Sequence, residues 1–97
     1  MNFELGFVDL ALKEWRKLDA HIREHFKTKL AQRLQQPSVP AAQLNGHKDR
    51  YKIKLRSVGY RLVYKVRDGE LIVLVITVGR RDGNAVYKAA AKRSGAV

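Results

Sequence analysis

The densest chemistry in this chain lies in two short segments. Tyr51-Lys52-Ile53-Lys54-Leu55-Arg56 and Tyr60-Arg61-Leu62-Val63-Tyr64-Lys65-Val66-Arg67 alternate apolar and cationic side chains around Ser57-Val58-Gly59. In extended backbone successive side chains point to opposite faces. Lys52, Lys54 and Arg56 therefore share one face, and Tyr51, Ile53 and Leu55 the other. In the second segment Tyr60, Leu62, Tyr64 and Val66 oppose Arg61, Lys65 and Arg67. Like charges held side by side repel and destabilise a sheet. Such a face is tolerated when an anion belongs on it, and a phosphate backbone is the obvious occupant. No Asp or Glu lies between Lys52 and Lys65 to neutralise it. Arg81, just past an apolar run, and Tyr87, within a last helical segment, complete the candidate set of Lys52, Lys54, Arg61, Arg81 and Tyr87.

The elements that must position these residues follow from periodicity. Met1 to Phe7 alternates weakly and predicts a first strand. From Asp9 the spacing of Leu10, Ala11, Trp15 and Leu18 predicts a helix with Asp9 as N-cap. Asp19 predicts a second N-cap, before Ile22, Phe26, Leu30 and Leu34 at four-residue spacing. Pro37 ends that helix and Pro37-Ser38-Val39-Pro40 is a stiff connector. Residues 41–50 are mostly loop, with a turn at Asn45-Gly46. Asp68-Gly69 predicts a two-residue hairpin turn. The next strand, Leu71 to Val78, is apolar on both faces, as a covered central strand is. Asn84 to Lys92 forms a short Ala-rich helix carrying Val86 and Tyr87. The layout is β-α-α-β-β-β-α. This is an α+β fold, with a two-helix hairpin on a mainly antiparallel, twisted sheet and a short C-terminal helix. Residues 1–93 form one domain and 94–97 a frayed tail.

Composition sets the partner class. Lys and Arg number 20 against 9 acids, a formal charge of +11, which favours encounter with polyanions such as nucleic acid. At 45% hydrophobic the chain folds rather than acting as a disordered basic tail. It has no cysteine, which excludes disulfides and thiolate metal sites. No signal peptide is evident and no apolar run approaches bilayer length, so a cytoplasmic protein with no membrane partner is expected.

At this level of detail the sequence resembles a known family. Lys13-Glu14-Trp15-Arg16-Lys17-Leu18, Tyr51 to Arg56, Gly59-Tyr60-Arg61-Leu62-Val63-Tyr64 and Val78-Gly79-Arg80-Arg81 with Val86-Tyr87 look like the RelE toxins of the RelE/ParE superfamily. The resemblance runs from residue 3 to about 93 and keeps the spacing between blocks. It implies a bacterial toxin with a fold related to small microbial ribonucleases. Such toxins cut mRNA in the ribosomal A site and inhibit translation. Lys52, Lys54, Arg61, Arg81 and Tyr87 match the family's functional positions. The resemblance also implies a RelB-like antitoxin, which wraps the basic body and contacts operator DNA, so that the toxin reaches DNA only indirectly and acts as a co-repressor. Lys13, Arg16, Lys17, Arg23, Lys27, Arg56 and Arg80 are the candidate contacts to RNA or ribosome. One departure is Asp82-Gly83-Asn84, a stretch more charged and helix-friendly in relatives. Gly83 loosens it by roughly a kcal/mol relative to Ala.

The cationic set suits this chemistry. Attack of the RNA 2′-hydroxyl on the adjacent phosphate leaves a 2′,3′-cyclic phosphate and a 5′-hydroxyl. Negative charge gathers on the phosphoryl oxygens, where each preorganised donor is worth about 10²–10³ in rate. Arg61 and Arg81 can each bind two phosphate oxygens, and Arg81 is also the candidate stabiliser of the leaving group. Crowding by like charges makes a lysine release its proton more easily, which nominates Lys52 or Lys54 as general base, Lys54 preferred. Tyr87 is placed to stack on a base or orient the 2′-hydroxyl. His21 and His25 lie on the second helix and His47 in a loop. A site of Lys, Arg and Tyr alone has a weak base, which implies that the ribosome supplies orientation and that free RNA is cut poorly.

Other readings weigh less. His21-Ile22-Arg23-Glu24-His25 matches an inverted zinc-peptidase pattern, but a third ligand is missing and the chain is small, so no metal or other cofactor is expected. Trp15, Tyr51, Tyr60 and Tyr64 read as core. A ParE-like toxin acting on DNA gyrase is the alternative inhibitor, although ParE-type relatives largely lack the cationic set. A non-catalytic RNA- or ribosome-binding module is the other alternative.

Overall fold

The computed structural model describes residues 2–80 and 85–93. Its one sheet has the order β1-β4-β3-β2, from strands Glu4–Phe7 (β1), Arg50–Leu55 (β2), Tyr60–Arg67 (β3) and Ile72–Arg80 (β4). β1 runs parallel to β4, and the other pairs are antiparallel. β4 is flanked on both sides, and every residue from Val73 to Val78 is buried. Its unbroken apolar run is the signature of that position.

Three helices complete the fold: α1 (Asp9–Arg16), α2 (Ala20–Gln35) and α3 (Ala85–Lys92). Ala11, Trp15, Ile22, Phe26 and Leu30 from α1 and α2 join Tyr51, Ile53, Leu62 and Tyr64 in the main core. Val86 and Ala90 of α3 pack on Val63 in a second, smaller cluster.

Two local expectations are corrected, the Asp9 cap and the β3–β4 turn, and the Asp19 cap holds in position. α1 begins at Asp9 itself, with Val8 as the preceding residue. The Val8 amide still bonds the Val75 carbonyl at 3.0 Å while its own carbonyl already accepts from Leu12 at 2.9 Å, so strand passes directly into helix. Asp19 does precede α2, but its side chain makes no capping bond. The β3–β4 link is longer than a two-residue turn. Asp68–Glu70 forms a short 3-10 turn and Leu71 takes a left-handed conformation at φ 55°. That geometry turns the Leu71 carbonyl to the Glu4 amide, 2.8 Å away, at the start of β1.

The β3–β4 register also shifts. Val63 pairs with Thr77 and Tyr64 with Val75, leaving Ile76 as an extra residue in β4. Such a bulge frees backbone groups from the ladder for other partners.

Candidate active site

Lys52 and Lys54 stand on β2, an edge strand, and Lys54 lies opposite Arg61 of β3. Period-two geometry therefore puts these three cations on one face, as the sequence predicts. Their exposure differs. Lys54 is exposed and Lys52 half-buried, while Arg61 is only 5% exposed rather than open to solvent. The cause is strand position, since β3 lies inside the sheet and β2 at its edge. One guanidinium nitrogen of Arg61 donates to the Tyr60 carbonyl at 2.9 Å. A buried guanidinium beside a second cation at Lys54 has the chemistry to attract an anion, because desolvated charges act most strongly.

Two clefts flank the lysines and share them. One, of about 370 Å³, is lined by Lys52, Lys54, the loop residues Leu44, Asn45 and His47, and Tyr87 with Ala91 from α3. The other, of about 360 Å³, is lined by the same lysines with Arg33, Val39, Ala41, Ala42 and Arg56. Each is of a size that takes a small ligand or a nucleotide. Tyr87 is half-buried and faces Lys52 and Lys54 across the first cleft. Arg81 lies outside the described residues, as does Asp82-Gly83-Asn84.

α3 is fastened at its C-terminal end. Arg50, itself buried, donates to the Ala90 carbonyl in the last turn of the helix. Arg93 donates to Glu14 Oε1 at 2.8 Å and to Oε2 through its other nitrogen at 3.2 Å. It also donates to the Ile76 carbonyl at the bulge, 2.8 Å away. Glu14 Oε1 accepts in addition from Thr77 Oγ1 at 3.1 Å and the Val78 amide at 3.3 Å. One carboxylate on α1 thus ties the bulged strand to the end of α3, and through α3 fixes where Tyr87 stands.

The remaining basic candidates divide by environment. Lys13, Arg16 and Lys17 are exposed along and just after α1. Arg23 is committed to the fold, donating to the Leu18 carbonyl and to the Arg16 carbonyl at 3.3 Å. Lys27 pairs with Glu24 at 3.2 Å. Arg80 lies over the Tyr60 ring at 5.5 Å, and Arg56 lines the second cleft.

Two residues went unassigned to the site on sequence alone. Arg33 donates to Tyr64 Oη at 2.9 Å and to the Lys52 carbonyl at 3.3 Å, reaching the cleft from α2. Nothing in its helical position marks it out. The Tyr64 hydroxyl in turn donates to the Pro37 carbonyl at 2.7 Å, and burial pushes its pKa up despite the Arg33 contact. His47 reaches the first cleft because the chain doubles back at Asn45-Gly46, where Gly46 has φ 85°. That turn is legible in the sequence; where it delivers His47 is not. His21 and His25 meet edge-on at 5.1 Å on the exposed side of α2. Among the described residues no three His, Cys, Asp or Glu side chains gather as a metal site.

The chain has known counterparts in sequence and fold. Residues 6–85 match the family model "ParE toxin of type II toxin-antitoxin system, parDE". The chain belongs to this family of type II toxins. Within it, the mRNA interferase toxin RelE of Escherichia coli strain K12 is 52% identical over 93 residues, covering 96% of this chain and 98% of that one. A doubly substituted E. coli RelE in the free state superposes with a TM-score of 0.88 at 50% identity, covering 95% of this chain and 97% of the other. RelE in the intact E. coli RelBE toxin–antitoxin complex gives 0.78 at 52% identity, covering 80% and 95%.

Proposed function

We propose that this chain is an mRNA interferase, an endoribonuclease that inhibits translation and is neutralised by a RelB-like antitoxin. The observation that carries this reading is the meeting of Lys52 and Lys54 from β2 with Tyr87 from α3 around one cleft, beside the buried Arg61. The likeness to RelE over nearly the whole chain supports the same activity, and the RelBE complex supports the same kind of partner. The scissile phosphate seats against Arg61 and the lysines, so that charge developing on its oxygens meets fixed cations. Lys54 accepts the 2′-hydroxyl proton, Tyr87 stacks on the adjoining base, and Arg81 steadies the leaving oxygen. Lys13, Arg16, Lys17, Arg23, Lys27, Arg56 and Arg80 form the wider basic surface toward RNA or ribosome.

The cleft is open to solvent, so it orients a flexible RNA poorly by itself. We assign that task to the ribosome, whose A site holds the mRNA in a fixed geometry. The setting is the cytoplasm; among the described residues no helix is long and apolar enough to cross a membrane. Operator DNA is met only through the antitoxin.

Primer extension on a defined mRNA, with and without programmed 70S ribosomes, tests this. New 5′ ends at the A-site codon with ribosomes alone are expected. Intact mRNA in both reactions would overturn the nuclease reading and turn attention to a gyrase supercoiling assay.

A further inference from the structure

Resting on the nuclease reading above, we propose that the second cleft, the one that Arg33 lines, is a nucleotide subsite of its own. It takes the nucleotide across the scissile phosphate from the one on Tyr87, and Arg33 and Arg56 bind that nucleotide's outer phosphate. The two clefts share Lys52 and Lys54. A phosphodiester seated on the lysines therefore has one neighbour directed to Tyr87 and the other to Arg33. At about 360 Å³ the Arg33 cleft matches its companion of about 370 Å³, so each side has room for one nucleotide.

The cleft is built from the core outward. Tyr64 is fully buried, and its hydroxyl fixes both walls. It accepts from Arg33 Nη1 at 2.9 Å and donates to the Pro37 carbonyl at 2.7 Å. Arg33 also lies over the Tyr64 ring at 5.8 Å and donates to the Lys52 carbonyl at 3.3 Å. Both bonds come from Nη1, so Nη2 and Nε bond nothing among the described residues and are left for a phosphate. A guanidinium can offer such a group two parallel donors, and one already held in place loses little freedom on binding. On the other side, Pro37 begins the connector to the 3-10 turn Pro40–Ala42. The Ala42 amide closes on the Val39 carbonyl at 2.9 Å and the Gln43 amide on the Pro40 carbonyl at 3.2 Å. This stiff stretch presents Val39, Ala41 and Ala42 as a small apolar wall suited to a base or sugar.

The charge of the cleft points to RNA rather than to a lone anion. Its polar lining is Arg33, Lys52, Lys54 and Arg56, with no acid among them. Arg33, Lys52 and Arg56 enter no salt bridge among the described residues. Lys52, Lys54 and Arg56 occupy alternate positions on one face of β2, a step of about 6.6 Å each. The cations thus form a track along the edge strand, with Arg33 beside it from α2. A single anion would use one point of such a track. A strand of RNA, with a phosphate at every residue and a base to lay against an apolar wall, uses its length.

Single-turnover cleavage on programmed ribosomes tests this, using mRNAs in which either phosphate next to the scissile one is made a neutral methylphosphonate. At one of the two positions wild type is expected to slow by about 10-fold. Arg33→Ala should slow by a similar factor on the all-phosphate mRNA. It should slow no further on that same methylphosphonate, because the contact is already gone. A merely structural role for Arg33 would give losses that multiply at both positions, and that result would overturn the subsite while leaving the nuclease intact. Wild-type rates for Arg33→Ala on the all-phosphate mRNA would overturn it too. Arg56→Ala, at an exposed position, guards against a folding defect and should show the same non-additive pattern at the same phosphate. If Arg33→Ala does not fold, losses that multiply for Arg56→Ala overturn the subsite. If wild type leaves the all-phosphate mRNA intact, the nuclease reading falls and the subsite with it.

Discussion

At the scale of single residues, the proposed function rests on a few charges whose environments differ. Arg61 is buried and prepaid for binding, whereas Lys54 stands exposed on the edge strand. Arg61→Ala should therefore lower cleavage by about 10²–10³, and Lys54→Ala by at least about 10², measured as single-turnover rates on programmed ribosomes. Wild-type rates for both would sink the proposed roles. Tyr64 does different work. Its hydroxyl links Arg33 of α2 to the Pro37 carbonyl, so Tyr64→Phe leaves both without that partner and should cost about 1–3 kcal/mol in urea unfolding. Its raised pKa, from an ordinary value of 10.0, adds a sign. The folded state holds the neutral phenol more tightly than the unfolded state does. That contribution is complete below pH 10 and is lost as pH climbs through the folded pKa. Melting scans above pH 10 should show a decline in stability that Tyr64→Phe reduces.

At the scale of elements, the decisive feature is the fastening of α3. The helix has eight residues, short enough that its stability comes from packing rather than propensity. Val86 and Ala90 pack it on Val63, and Arg50 and Arg93 hold its C-terminal end. Glu14→Ala should leave Arg93 with only the Ile76 carbonyl, leave the Thr77 hydroxyl and Val78 amide without their acceptor, and loosen α3 more than the main core. Hydrogen exchange should accelerate across residues 86–92 while β3 and β4 stay protected. Cleavage should fall several-fold because Tyr87 is no longer held, and Arg93→Ala should add little to Glu14→Ala in a double-mutant cycle. Additive losses would show that the two residues act apart.

At the scale of the whole molecule, an excess of +11 charges is distributed unevenly. Glu14, Glu24, Asp49 and Glu70 are engaged by Arg93, Lys27, Lys65 and Arg67. None of these pairs uses Lys52, Arg56 or Arg61, so the cleft keeps the field that a polyanion meets. Binding of a short single-stranded RNA should weaken steeply with salt, with a log–log slope near −0.7 for each phosphate neutralised. Arg56→Ala should make the slope shallower by about 0.7. Lys29→Ala, exposed on α2 and outside both the cleft lining and the basic surface assigned to RNA, should leave it unchanged in a fluorescence titration.

Much of this architecture is determined by the sequence alone. The period-two alternation at 51–67 fixes which face of β2 and β3 carries cations, because a pleated strand has only two faces. The four-residue spacing of Ile22, Phe26 and Leu30 fixes the buried stripe of α2, and the apolar run at 72–78 fixes a central strand. Those signals are local, and so they survive reading one residue at a time. Tertiary structure decided what depends on contacts between distant segments. The edge position of β2 and the interior position of β3 separate Lys54 from Arg61 in exposure. The turn at Gly46 carries His47 into the cleft, and the Ile76 bulge joins Glu14 to Arg93 across 79 positions of chain. No local pattern encodes these, because each is set by how a register, a loop closure and a helix end meet in space.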